Sequence, residues 1–296
     1  LTSSAKSKNI TSSNRIAVII AEGEIVSGEA DGVISSEKFA EEIRKARKDE
    51  NIKAIVLRVN SPGGSVLASE VIWREMAEAK KVKPVIVSMG EVAASGGYYI
   101  AAPADTIVAQ PNTITGSIGI FGLMFNVEEL LNEKLGITTD VVKTGELSDF
   151  MNPTRPMTEV ERMIIQNTIE DGYETFITRV AEGRGMTPEA VKEVASGRVW
   201  TGNQAKERGL VDVLGGLDTA IEIAAGKIKA GDDYRVVYYP EVKPWFETIM
   251  DDFGQNVRVG FLKHELQENY KIYQQVEKLK TYQGIQARMA QEIIIK

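Results

Sequence analysis

The sequence predicts an α/β protein built from repeated βαβ units around a mostly parallel sheet, and three observations carry that prediction. Short runs rich in Val and Ile alternate with stretches of helical spacing. The runs are apolar throughout, as strands covered on both faces require. They end in turns of Asn, Ser, Pro and Gly, which stop a strand and reverse the chain.

In order, residues 15–20 and 24–26 read as strand. Residues 37–48 read as a helix that aligns Phe39, Ile43 and Ala46, with Ser36 as its cap. A strand at 52–59 is stopped by Asn60, Ser61, Pro62 and two glycines. Helix follows at 66–80, strand at 84–89, helix at 93–102 and strand at 106–109. Beyond Val142 a Pro/Thr-rich loop at 152–158 leads to helical patterns at 159–183 and 188–196. A turn at 210–213, a helix at 217–225, a strand at 234–239 and a helical arm at 257–279 complete the pattern.

The domain boundaries predicted from this are a linker over 1–14, a single α/β domain over 15–230, and a C-terminal strand with a helical oligomerisation arm over 231–296. The chain begins at Leu1 with a polar Ser/Lys/Asn stretch, which reads as a linker within something longer. The arm carries Val257, Phe261, Leu262, Leu266, Tyr270, Tyr273, Val276 and Leu279 at helical spacing, a stripe suited to association or equally to packing on the chain's own core.

Composition narrows the chemistry. Without cysteine there are no disulfides, thiolate nucleophiles or Cys-bound metals. A net charge of -7 argues against a nucleic-acid surface. No apolar run reaches the roughly 18 to 20 residues of a membrane span. No phosphate-binding Gly-Lys-Ser/Thr loop and no metal-ligand cluster is evident, so no cofactor and no metal is expected.

Two glycine-rich turns remain, Asn60-Ser61-Pro62-Gly63-Gly64-Ser65 and Gly90-Glu91-Val92-Ala93-Ala94-Ser95-Gly96-Gly97. Both fall at the carboxyl ends of neighbouring parallel strands, where such sheets form their ligand crevice. Gly64 can aim a backbone N–H into the crevice, and Ser95 can offer its hydroxyl beside the N–H of Gly96. A nucleophile and two oxyanion donors would result. Glycine turns after strands and a serine capping a helix are the structural alternative.

Those strings, with Ser88-Met89-Gly90, Tyr98-Tyr99 and Thr115-Gly116-Ser117-Ile118-Gly119-Ile120-Phe121-Gly122, resemble the signal peptide peptidase A (protease IV) family from about Arg15 to Ala225. The resemblance implies the crotonase-like fold shared with Clp proteases. It also implies Ser95 as nucleophile, Gly64 and Gly96 as oxyanion hole, and Ser117 as the residue orienting the general base. A lysine base is expected just before the Ser/Pro-rich loop, and there the sequence has Ser148. A serine hydroxyl cannot take the nucleophile's proton at neutral pH as a desolvated neutral lysine can. Lys143 lies five residues upstream on an expected strand. His264, the only histidine, lies in the polar face of the arm.

The long form of the family has two homologous halves, the first bearing the lysine and the second the serine, and this chain resembles the second. The implied function is a serine endopeptidase module acting on remnant signal peptides and other unfolded peptides, completed by a lysine from another half or subunit. The implied setting is a membrane-anchored homo-oligomer at the extracytoplasmic (periplasmic) face of a bacterial membrane. Two other readings stand beside it. One is a catalytically silent scaffold subunit, which the serine at position 148 favours. The other is an acyl-CoA hydratase or isomerase, for which Glu91 is the acidic residue of the second turn.

Overall fold

The structure, a computed structural model, describes residues 7–30, 32–239 and 284–289. The chain opens with β1 (Arg15–Glu22), β2 (Ile25–Val26), β3 (Ile34–Ser35) and α1 (Ser36–Lys48). It continues through β4 (Ile52–Ser61), β5 (Gly63–Ser65), α2 (Val66–Lys80), β6 (Val85–Ala94) and α3 (Gly96–Ala101). Next come β7 (Thr106–Ala109), β8 (Ile114–Gly116), β9 (Phe121–Leu123), α4 (Glu159–Arg184) and α5 (Pro188–Val194). The remaining elements are β10 (Val199–Thr201), α6 (Gly202–Glu207), β11 (Val213–Leu214), α7 (Leu217–Lys227), β12 (Arg235–Tyr239) and β13 (Gly284–Arg288).

In the main sheet the order is β10-β8-β6-β4-β1-β12, with β7 beside β6 and β11 beside β7. Its pairings are parallel except β8 with β10. The apolar runs read as strands alternate between two buried layers. Ala17, Ile19, Ile55, Leu57 and Val87 pack toward α1, α2, α3 and α4, whereas Ile16, Val18, Ala54, Val56 and Ile86 pack toward α7. Both faces of the sheet are therefore covered, as parallel strands demand. Each fully buried Ile or Leu contributes about 1.5–3 kcal/mol.

Helix was expected over 93–102, but β6 runs on through Ala94 and the helix is confined to Gly96–Ala101. The cause is a fork: Ile86, Val87 and Ser88 pair with β7, while Val92, Ala93 and Ala94 pair with β8. Ser36 was expected to cap α1. Instead Ser35 holds the N-cap position without a capping bond, its hydroxyl donating to the Gly28 carbonyl at 2.5 Å. Ser36 is turned to the same loop and accepts from the Gly28 N–H at 3.2 Å.

Strand β12 joins the main sheet beside β1. Residues before β1 are fastened to those leading into β12, the Asn9 N–H donating to the Tyr234 carbonyl at 3.0 Å and the Ser12 hydroxyl to the Asp233 carbonyl at 3.0 Å. Strand β13 enters a smaller sheet ordered β3-β2-β5-β13-β9, antiparallel to both its neighbours. The arm at 257–279, with His264, lies outside the described residues. No helix among the described residues is long and apolar enough to cross a membrane.

Candidate active site

The turns that end β4 and β6 are held together by side chains. Register between the two strands shifts after Val59↔Met89, resuming at Ser61↔Ala93. Asn60 fills the irregularity, its side-chain carbonyl accepting the Val92 N–H at 3.1 Å. From the far side the hydroxyls of Thr113 and Thr115 donate to the carbonyls of Gly90 and Ala93, each at 2.7 Å. Arg58, half-buried, donates to the Ser88 hydroxyl at 2.9 Å and the Met89 carbonyl at 2.7 Å. The first turn is fixed by the Ser61 hydroxyl, which accepts the Gly63 N–H at 3.1 Å, and by Ser65, whose hydroxyl caps α2.

Ser95 sits between these turns at the head of α3, fully buried, with φ 53 and ψ -116. A positive φ is unusual for a residue with a β-carbon, and such geometry persists only where its surroundings enforce it. Here the Ser95 N–H donates to the Gly116 carbonyl at 2.8 Å and its carbonyl accepts from Tyr99 at 2.8 Å. The hydroxyl donates to the Gly119 carbonyl over a long 3.4 Å. Gly96, the first residue of α3, has no helical acceptor for its N–H.

The two glycine turns touch. Gly63 has φ +100, and a β-carbon there would stand 2.7 Å from the Gly96 nitrogen and collide with the Ala287 carbonyl. At Gly64 a β-carbon would collide with the Ile25 backbone. The structure thus brings Gly63, next to Gly64, against Gly96, next to Ser95, with the Ala287 carbonyl of β13 lying against Gly63 and Gly96 and Ala287 paired opposite Gly64.

Ser117 is also nearly buried and also has a positive φ of 49, its N–H donating to the Arg198 carbonyl at 2.7 Å. With Gly119, Phe121, Tyr173 and Arg288 it lines a cavity of about 450 Å³. Gly119 connects this cavity to the Ser95 hydroxyl.

Ser148 is not brought to the site. It is exposed, and its hydroxyl donates to the Gly145 carbonyl at 2.9 Å in its own loop. Lys143 was expected on a strand, but residues 136–143 form neither strand nor helix. Its ammonium is held by Asp149 at 2.8 Å. The Asp149 carboxyl lies well below the usual carboxylate range because of Arg155 first and Lys143 second. Arg155 also binds Glu161, and with the Thr158 N–H holds that carboxyl down to about 2. Lys143 is therefore anchored in an ion-pair cluster. Glu91 is exposed, without the shielded position that enolate chemistry asks of an acid or base.

Sequence reasoning missed the bracing residues Asn60, Thr113 and Thr115, and missed Glu24, which pairs with Arg288 of β13 at 2.7 Å. Asn60 and Thr115 lie inside motifs named above, but all four residues act across long sequence separations.

Comparison with known proteins identifies the family. The profile of Peptidase family S49 matches residues 77–230, and that of Clp protease matches residues 7–115. Protease 4 of Salmonella typhi is 48% identical over 245 residues, covering 82% of this chain and 39% of that protein. Protease 4 of Haemophilus influenzae is 44% identical over 75% of this chain and 36% of that protein. The chain thus spans well under half the length of these two relatives. A putative protease of Synechocystis, slr0021, is 39% identical over 71% of this chain and 73% of its own length. With its S49 profile match running from the end of α2 to the end of α7, the chain belongs to peptidase family S49.

Proposed function

We propose that this chain is the serine-bearing module of a signal peptide peptidase, cutting remnant signal peptides and other unfolded peptides. The observation that carries the proposal is Ser95, buried at positive φ between two glycine turns whose backbones meet. A substrate would lie as an extended strand between β5 and β9, the place that β13 takes in this structure.

In the reaction Ser95 Oγ bonds to the scissile carbonyl carbon while its proton passes to a neutral lysine. The N–H groups of Gly64 and Gly96 hold the developing oxyanion. The C–N bond then breaks, and the lysine returns the proton to the leaving amine. Water, deprotonated by the same lysine, cleaves the acyl ester and frees Ser95.

That lysine comes from a homologous half or neighbouring subunit, because Ser148 occupies its position here and Lys143 is bound by Asp149. Ser117 orients it from the adjoining cavity. Exposed apolar side chains support such a contact: Phe125, Leu130, Leu135, Ile137, Val142 and Met163 are all exposed, Val142 at 96%. The working form is a homo-oligomer anchored at the extracytoplasmic face of the bacterial membrane.

The test is Ser95→Ala in the full parent protein. Peptide turnover is expected to vanish while the circular dichroism spectrum and melting temperature stay those of the wild type. Turnover comparable to wild type would remove Ser95 from the mechanism.

A further inference from the structure

Strand β13 lies in the cleft in a defined register, with Gln286 opposite Ser65, Ala287 opposite Gly64 and Arg288 opposite Gly63. On its other edge Gln286 faces Phe121 and Ile285 faces Gly122. Both sides of the cleft are thus paired by one antiparallel strand, as a bound peptide would pair them. The Met289 N–H continues the ladder, donating to the Pro62 carbonyl at 3.2 Å.

The register can be tied to the chemistry. A β-carbon on Gly96 would stand 3.0 Å from the Ala287 carbonyl oxygen, and one on Gly63 would collide with that same atom. The carbonyl at the two turns is therefore that of Ala287, a small residue, and the next residue along the strand is Arg288.

Arg288 is where the cleft reads charge. Its side chain is only 4% exposed and its guanidinium meets the Glu24 carboxylate at 2.7 Å. Glu24 is fixed by the fold. Its own carbonyl accepts the Ile34 N–H at 2.8 Å, and the next residue, Ile25, pairs with Gly64. The backbone that carries this carboxylate is therefore held beside the oxyanion turn. A shielded carboxylate favours a cationic partner and penalises an anion or an unpaired group there.

We propose that Glu24 is a specificity-determining residue of the cleft, selecting Arg or Lys immediately after the small residue whose carbonyl faces Gly64 and Gly96. The inference rests on reading this cleft as the peptide site. The segment Gly284–Arg288 is then the chain's own example of a preferred strand, and incoming peptides must displace it.

The test is equilibrium binding, measured by fluorescence anisotropy, to the full parent protein carrying Ser95→Ala, so that bound peptide is not consumed. Labelled Gly-Ile-Gln-Ala-Arg-Met is compared with the same peptide carrying Glu in place of Arg. Both compete with the same internal strand, so the ratio of their affinities reports the cleft itself. The Arg peptide is expected to bind at least about 10-fold tighter, the scale of one partly shielded charge-assisted hydrogen bond. Glu24→Gln is expected to erase the preference and Glu24→Lys to reverse it; the first keeps the side-chain volume if the second disturbs folding. Equal binding, a preference that survives Glu24→Gln, or no binding of either peptide would overturn the inference. Since no step needs catalysis, its failure is separable from that of the nucleophile assignment, which the turnover of Ser95→Ala decides.

Discussion

The Asn60 side-chain carbonyl accepts the Val92 N–H at 3.1 Å, so the turn after β4 sets the path of the backbone that carries Ser95. Asn60→Ala removes that hydrogen bond between the two turns. One hydrogen bond of this kind is worth about 1 kcal/mol, which urea denaturation will show as a modest loss. The effect on kcat in the parent protein is expected to be larger, roughly 10-fold or more, because small misplacements of a nucleophile are amplified in rate. An unchanged kcat would show that the two turns are positioned independently.

Gly64→Ala probes the oxyanion turn. The added β-carbon collides with the Ile25 backbone, which cannot give way as a flexible side chain would. The turn must move, and its N–H with it. Turnover by the folded parent is expected to fall about 10²- to 10³-fold, the usual consequence of losing one oxyanion donor. Full activity in a variant of native circular dichroism would rule Gly64 out as a donor.

The loop that carries Ser148 should be acid-sensitive. Asp149 and Glu161 titrate below their ordinary values because Arg155 binds both, so their contribution to stability is complete above about pH 4.5. It is lost as pH falls toward the lowered value of about 2 for Glu161. Arg155→Met should thus melt below wild type at pH 7, and the gap should close on acidification through that window. A gap that stays constant from pH 7 to pH 2.5 would contradict the linkage.

The apolar surface around Val142 should mediate association. Ile137→Lys combined with Val142→Glu places two charges where both side chains now face solvent. Such changes cost a monomer little, whereas buried in an interface they would be unpaired. Sedimentation velocity of the parent is expected to show smaller assemblies in the double variant. Identical assemblies would locate the interface elsewhere.

Much of the central sheet was legible because Ile16–Ile19, Ile55–Leu57 and Val85–Val87 are buried on both faces and therefore apolar without interruption. The strand at Val92–Ala94 was not. Ala-Ala-Ser-Gly-Gly carries no β signal, and Val92–Ala94 is extended because Ile114–Gly116 pairs with it on one side and Ser61 with Ala93 on the other. The close approach of the two glycine turns could be read from the sequence, since glycine marks close backbone approach. The hydroxyls of Thr113 and Thr115 could not, as their acceptors lie 23 and 22 residues away. Glu24 and Arg288 are 264 residues apart and meet only through the small sheet. Sequence spacing could not show that Ser148 is exposed and bonded within its own loop.

The central claim is that Ser95 works with a base this chain does not contain. The most direct measurement is turnover of a fluorogenic peptide with small apolar residues, comparing this chain alone with this chain reconstituted with a lysine-bearing homologous half. A positioned general base contributes about 10²- to 10⁴-fold, so the isolated chain should fall short by that order and recover on reconstitution. Full turnover by the chain alone, abolished by Ser95→Ala, would contradict the claim and place the base within these 296 residues, with Lys143 the first to examine.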